Sequence, residues 1–559
     1  MYWHVTVCCL HAILITVDSS VIVTTTGPVL GKLVIERDLG VTYYAYQGIP
    51  YAENPGKSRR FKPPVPKTPW LTVRNATNPG PVCPQLEGRY KRDQMSEDCL
   101  TLNVYVPATR SKGVRAAYFY IHGGAFKSLS GNIEDSSGPQ FLLKQDVIFI
   151  STNYRLGALG FLSSETDHAP GNAGIKDIIL ALKWVKNNIK RFGGGTLTIG
   201  GQSAGSAIVH YLLLSKQSNG LFQRAVLNSG SATNFRYLSM SPTTTALALA
   251  EELNIPTANI TSVIENLTNV DVFDIVTAQD NIFKNNRNIM RPFGAFVPSV
   301  EKKSSHAVLT ETPNKILQSG IRQNVPLLLG ITSQEGAYMW RSLIRKPIGE
   351  LQDKIDLCIP CDIQYPIDSQ MHKDLVKSMS DVYFDGSDLK NWTLTNFYNL
   401  VSDTQYASSV DLWLRSHLQR IDRQPVYYYV FDFDGELNWA KVVYNISFPG
   451  AAHADDLGYM FVTKDTKPIL DNINAKTKRA LNNTSTFLGN FIKFGNPTPP
   501  GSNFMWHESG PLRNHVMVND APGNVLQGPF RKRFDFWQNV YHKYDSYVKS
   551  GGAISPKIC

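Results

Sequence analysis

The stretch Gly201-Gln202-Ser203-Ala204-Gly205 constrains the fold more than any other part of the chain. It follows the β-prone run Leu197-Thr198-Ile199-Gly200 and leads into Ala207-Ile208-Val209-His210-Tyr211-Leu212-Leu213-Leu214, an order that reads as strand, sharp turn and helix. A serine with glycine two residues to either side can occupy a strained turn, because a Cβ at the flanking positions would collide with neighbouring backbone. Its Oγ then projects from the tip of a strand. Three fixed positions are a weak signal alone. The strand before and the helix after make Ser203 a candidate nucleophile.

The segments around this turn alternate between strand and helix patterns. Ala116-Ala117-Tyr118-Phe119-Tyr120-Ile121 is a continuous apolar run of the kind buried on both faces of a parallel sheet. Val147 to Ser151 reads as a second buried strand. Between 174 and 192 the apolar residues Ile175, Ile178, Ile179, Leu182, Val185 and Ile189 recur at three and four residues, which predicts an amphipathic helix stopped by Gly193-Gly194-Gly195. Further strands are expected at 21–24, 33–35, 100–106, 224–227, 325–331, 426–431 and 515–518. Residues 47–51 read as the entry to a proline-rich surface crossing that runs to Trp70. Helical and loop-rich insertions fill about 240–320 and 336–422, and helices are expected at 475–494 and 530–545. The pattern is α/β, with a large, mostly parallel central sheet flanked by helices and interrupted by long insertions.

Within the 559 residues no Gly/Ser linker, acidic block or repeat separates one part from another, so one domain over 20–559 is expected. The net charge is +10, but Lys and Arg are scattered, which favours a solvated basic surface over nucleic-acid binding. Val5 to Val17 is too short to span a bilayer and precedes small polar residues, so residues 1–19 are read as a secretory signal peptide. Sequons at Asn75, Asn259, Asn266, Asn391, Asn445, Asn482 and Asn483 agree with that route; the last two overlap, so one of them is used at most. No later stretch is long and apolar enough to cross a membrane.

Seven cysteines are present, and loss of Cys8 and Cys9 with the signal leaves an odd number. Cys83 and Cys99 would close a loop of about 15 residues, a staple with a usual contribution of roughly 3 kcal/mol. Cys358 and Cys361 suit a local disulfide or two outward pairings. Cys559 is either free or bridges two chains, so the protein is expected to be a monomer or a homodimer.

A serine hydroxyl becomes a useful nucleophile when a base takes its proton and a third group orients that base. In sheets of this design the partners follow the serine in the order acid, histidine, on loops at the carboxyl ends of later strands. Glu335 fits the acid, four residues beyond the expected strand end at Ile331. Of the later histidines, His453 alone lies in a small-residue loop after a strand, Gly450-Ala451-Ala452-His453-Ala454-Asp455-Asp456. Gly123-Gly124-Ala125 after the buried strand can turn successive N–H groups toward a reacting carbonyl, joined by the N–H of Ala204 at the helix start. No metal or organic cofactor is needed for this chemistry.

These stretches resemble the type-B carboxylesterase and cholinesterase family of α/β-hydrolases, most of all its insect carboxylesterase branch. The resemblance extends over Gln47-Gly48-Ile49-Pro50-Tyr51, Arg60-Phe61, Ser96-Glu97-Asp98-Cys99-Leu100, Asn153-Tyr154-Arg155, the serine turn, Asn228-Ser229-Gly230 and His453 to Leu457. It implies an α/β-hydrolase fold, a triad of Ser203, Glu335 and His453, and oxyanion N–H groups from Gly124, Ala125 and Ala204. It also implies a Cys83–Cys99 disulfide and ion pairs of Arg60 with Glu97 and Arg155 with Asp177.

Departures from the family pattern narrow the substrate. Arg89 stands where cholinesterases carry a tryptophan for the choline cation, and would repel a quaternary ammonium. Gln202 is neutral where those enzymes carry glutamate. The turn is similar to that of juvenile hormone esterases, yet Asp177-Ile178 replaces their usual Asp-Gln. The expectation is a secreted serine carboxylesterase that hydrolyses uncharged carboxylic esters through an acyl-enzyme; hormone hydrolysis and slow-turnover sequestration of esters or organophosphates are the alternatives. Adhesion relatives of neuroligin type commonly lack a triad member and carry a membrane span; this chain retains all three residues.

Overall fold

Alternate residues of the continuous apolar runs are buried on opposite faces of one 11-stranded sheet, which is why those runs show no polar face. The structure is a computed structural model. It describes residues 20–554 apart from 110, 112, 134, 136, 286–291, 321–322, 340–354, 387–392 and 522. The signal peptide read from the sequence, the Asn391 sequon and Cys559 lie outside the described residues.

In chain order the strands of the sheet are β1 (Lys32–Glu36), β2 (Val41–Pro50), β3 (Thr101–Pro107), β4 (Arg115–Ile121), β5 (Ile148–Thr152) and β6 (Gly194–Gln202). They continue with β7 (Arg224–Asn228), β8 (Leu327–Thr332), β9 (Val426–Phe431), β10 (Asn514–Val518) and β11 (Asn524–Gln527). The spatial order is β1-β2-β3-β5-β4-β6-β7-β8-β9-β10-β11. Strands β4 to β10 run parallel, and the antiparallel pairings are confined to the two ends.

Phe119 and Ile121 of β4 join one core cluster, with Ile208 and Leu212 of the helix α2 (Ala204–Leu214); Tyr118 and Tyr120 join the other, with Leu488 and Phe491 of a long helix at Ala475–Phe494. The helix α1 (Ala173–Asn188) occupies the crossover into β6 and ends in a 3-10 turn at Ile189–Phe192. The strands joined by this crossover, β5 and β6, run parallel as the strand-helix-strand order predicts, with β4 between them.

The structure corrects several boundaries. Gly193 alone ends the helical run, in a left-handed conformation at φ 79°, and Gly194 and Gly195 already belong to β6. Residues 41–50, which the proline-rich reading passed over, form the ten-residue β2, whose pairing register slips between Tyr46 and Ile49. That irregularity masks its alternation in the sequence. Val21–Val23 is a strand, as expected, but in a separate three-stranded sheet. The edge strand β11 is four residues long with Val525 and Leu526 both exposed, too short for an alternating pattern to show in the sequence.

The cysteines resolve in part. Cys83 and Cys99 are joined, with Cα atoms 5.0 Å apart. Cys361 is disulfide-bonded, and Cys358 is buried beside it in the sequence. Among the described residues no helix is long and apolar enough to cross a membrane.

Candidate active site

Ser203 stands between the last residue of β6 and the first of α2, at φ 58° and ψ −122°. Such a conformation costs about 1–3 kcal/mol and persists where the surroundings fix it. Here Ser203 N donates to Asn228 O at the end of β7 (2.9 Å), and Ser203 O accepts from Ala207 N (3.0 Å). The flanking glycines are required by contact. A Cβ on Gly201 would lie 2.4 Å from the Gly205 carbonyl carbon, and one on Gly205 2.1 Å from Ile121 O.

The parallel pairing of Gly201 with Ile121 brings the loop after β4 to the serine. In that loop Gly124 has φ 93° and Ala125 φ 56°. The carbonyl of Gly124 accepts from Lys127 N and Ser128 N, each at 3.0 Å, and this closes the turn. Among the described residues no hydrogen bond takes up the N–H of Gly124, Ala125 or Ala204.

Glu335 begins a 3-10 turn just beyond β8 and is fully buried. Its Oε1 accepts from Thr332 N (2.8 Å), and its Oε2 faces His453 Nδ1 at 2.6 Å. The two loops are also joined through the main chain: Gln334 N donates to Ala451 O (2.9 Å) and His453 N to Glu335 O (3.4 Å). Asp455, 0 % exposed, braces the histidine loop by accepting from Ala452 N (2.6 Å) and Asn438 Nδ2 (3.0 Å). Burial pushes the Asp455 and Asp456 carboxyls up to about 7.

The short contact to a carboxylate assigns the imidazole proton to Nδ1 and leaves a lone pair on Nε2. That lone pair faces Gln202 Nε2 at 3.2 Å. The amide nitrogen must be the atom presented, since the amide oxygen would set two acceptors against each other. No hydrogen bond joins Ser203 Oγ to His453 among the described residues. Catalytic hydrogen bonds are often long before substrate binds.

Ser203, His453, Gly124 and Ala125 line one cavity of about 140 Å³. Aromatic side chains form one part of its wall: Phe293, Tyr338, Tyr406, Trp439 and Tyr444. Lys127 also lines it, with Nζ 3.9 Å from the Phe283 ring centroid, and no carboxylate does so among the described residues. A larger cavity of about 440 Å³, by Glu36, Gln140 and Lys464, contains none of these groups.

Residues 18–537 match the model of the carboxylesterase family. The chain belongs to this family. Its fold is the α/β-hydrolase fold, and the protein is a carboxylic ester hydrolase. It is 32% identical over 529 residues to juvenile hormone esterase of Heliothis virescens, with 91% of each chain covered. It is 31% identical over 478 residues to Esterase FE4 of Myzus persicae, covering 83% of this chain and 82% of that one. Among solved structures it superposes on the crystal structure of juvenile hormone esterase from Manduca sexta, with OTFP covalently attached. That match has a TM-score of 0.81 and 27% identity, and covers 93% of this chain and 99% of the other.

The ion pairs that the family pattern implies are present. Arg60 grips Glu97 in two contacts of 2.8 and 2.6 Å, and Arg155 grips Asp177 at 2.8 and 2.6 Å. Arg89 is not the uncompensated cation expected from the sequence: it is paired with Asp135 and with Asp465 (3.0 Å). Ile178 is 0 % exposed in the core and does not line the cavity, so the departure at that position is a packing change. Tyr338 and Tyr406, which pack on the His453 ring, escape sequence reasoning because both lie in the long second insertion.

Proposed function

We propose that the protein is a secreted serine carboxylesterase that hydrolyses uncharged carboxylic esters through an acyl-enzyme, within one catalytic domain over 20–559. Ser203 Oγ attacks the ester carbonyl as its proton passes to His453 Nε2, and Gln202 withdraws from that lone pair. The oxyanion is held by the N–H groups of Gly124, Ala125 and Ala204, where loss of one donor would cost about 3 kcal/mol of transition-state stabilisation. His453 then protonates the departing alcohol. Water attacks the acyl-enzyme by the same route, and Glu335 orients and stabilises the imidazolium throughout.

The observation that carries this reading is the 2.6 Å contact between buried Glu335 and Nδ1 of a histidine that shares its cavity with Ser203. The aromatic wall without a carboxylate supports uncharged substrates. Secretion draws support from the apolar N-terminal run, the sequons and the Cys83–Cys99 disulfide, since such bonds persist in oxidising compartments. Asn75, Asn259, Asn266, Asn445 and Asn482 are exposed sequons suited to glycosylation.

The deciding assay compares wild type with Ser203→Ala on a small aryl ester, alongside labelling by an organophosphate. Equal rates in the two proteins would reject Ser203 as nucleophile. Stoichiometric labelling without turnover would indicate sequestration instead. Hydrolysis of juvenile hormone is the narrower reading, favoured by the relatives of that name. It requires long-chain methyl esters to surpass short aryl esters in kcat/KM, and the reverse order would remove it.

A further inference from the structure

His453 is held in its plane by Glu335 and Gln202, while its faces are packed by tyrosines. The Tyr406 ring stacks on it with centroids 4.0 Å apart and planes at 27°, and Tyr338 meets it edge-on at 5.8 Å. Tyr406 is carried by a π-helical turn, Asp403–Ala407, between the helices α3 (Leu394–Ser402) and α4 (Ser408–Leu418). Such turns are rare, and they gather at functional sites. The wider turn changes which residue faces a given direction, since each residue of a regular α-helix advances by about 100°.

The wider turn leaves main-chain carbonyls that the regular ladder would occupy. Side chains take them up: Asn234 Nδ2 donates to Thr404 O (3.0 Å) and Ser408 Oγ to Asp403 O (2.6 Å). The turn is pinned at both ends. Gly336 N, next to Glu335, donates to Ser402 Oγ (2.8 Å). Asp403, 0 % exposed, pairs with Arg533 Nε (3.1 Å) of the C-terminal helix α5 (Arg531–Lys549) and accepts from Tyr383 Oη (2.5 Å). Trp537 of the same helix donates to that Tyr383 oxygen (2.7 Å). These contacts fix the backbone that carries Tyr406, and none of the residues making them lines the catalytic cavity.

We propose that Tyr406 is a positioning residue for His453, presented by the π-helical turn, and that the Arg533–Asp403 ion pair holds this turn in place. The C-terminal helix thereby tunes turnover at a site it does not line. The inference rests on the reading of His453 as the base. A ring that drifts by about 1 Å can cost on the order of 100-fold in rate, so a stacked neighbour has room to matter.

The test measures kcat and KM on an aryl ester, with melting curves, for wild type, Tyr406→Phe, Tyr406→Leu, Arg533→Gln, Arg533→Lys and the double variant Tyr406→Leu/Arg533→Gln. Tyr406→Phe keeps the stack and should hold kcat within about twofold; Tyr406→Leu should lower kcat about tenfold or more while KM changes less than about threefold. Arg533→Gln should lower kcat in the same way, Arg533→Lys should recover it, and the double variant should be no worse than Tyr406→Leu alone, because both changes act through one contact. Equal losses for Phe and Leu, a rise confined to KM, or additive losses in the double variant would overturn the proposal. Failure of the underlying reading is separate, since it appears as undiminished hydrolysis by Ser203→Ala.

Discussion

The side-chain amide of Gln202 faces Nε2 of His453 at 3.2 Å, so the lone pair that would receive the serine proton is already engaged in the resting molecule. That hydrogen bond has to open before Ser203 can transfer its proton. A typical bond of this kind has a net value of about 1 kcal/mol, or roughly fivefold in rate. Replacement of Gln202 by leucine, similar in bulk and unable to donate, is expected to speed acylation by about that factor. Stopped-flow bursts with a p-nitrophenyl ester measure it, and slower acylation would mean that the amide assists the step.

Ala125 sits at φ 56°, where an L-residue with a Cβ is strained. Relief of this strain by glycine should gain about 1–2 kcal/mol, against about 0.4–1 kcal/mol of extra chain entropy in the unfolded state. Ala125→Gly should therefore raise the melting temperature slightly and admit bulkier acyl groups beside the serine. A lower melting temperature, seen by calorimetry, would show that the methyl packs better than its backbone angle suggests.

His122 lies under the loop that carries Gly124 and Ala125, stacked on Tyr154 at 4.4 Å, and burial lowers its imidazole from 6.5 to about 4. The folded state thus keeps this ring neutral where the unfolded chain would protonate it. Its contribution is present above pH 6.5 and is lost as the pH falls toward 4. At pH 5 the loss amounts to about 2 kcal/mol. His122→Gln, which can still donate to Gly123 O, should flatten the drop in stability between pH 7 and pH 5. Denaturant titrations at the two pH values test this, and an unchanged drop would place the acid sensitivity elsewhere.

The overlapping sequons at Asn482 and Asn483 are not equivalent. Asn483 Nδ2 donates to Asn519 O (3.2 Å) and Ala521 O (2.8 Å), while Asn482 is exposed on the same helix. In secreted material Asn482→Gln should lose one glycan by mass spectrometry, and Asn483→Gln should lose none. Occupancy at Asn483 alone would require the helix end to open during modification.

How much could be read beforehand varied with the physics of each segment. Strands β4, β8 and β9 were legible because burial on both faces writes continuous apolar runs, and Ser203 was legible because steric crowding at Gly201 and Gly205 leaves glycine alone at those positions. Glu335 and His453 could be placed by their distance beyond strand ends. The ring contacts of His453 could not, because a π-helical turn has no periodic signature and Tyr406 reaches the site only through tertiary packing. The expectation that Arg89 is an uncompensated cation failed for the same reason, since Asp465, one of its two counter-charges, lies 376 positions further along the chain.

Glu335 and His453 are separated by 117 intervening residues, yet the main-chain bonds between Gln334 and Ala451 and between Glu335 and His453 splice their loops into one mechanical piece. Scission of the polypeptide within 364–369, ahead of the helices that carry Tyr406, would leave that piece whole, its two halves still clasped by the β8–β9 pairing. Nicked protein would then go on turning over ester while running as two fragments on a denaturing gel.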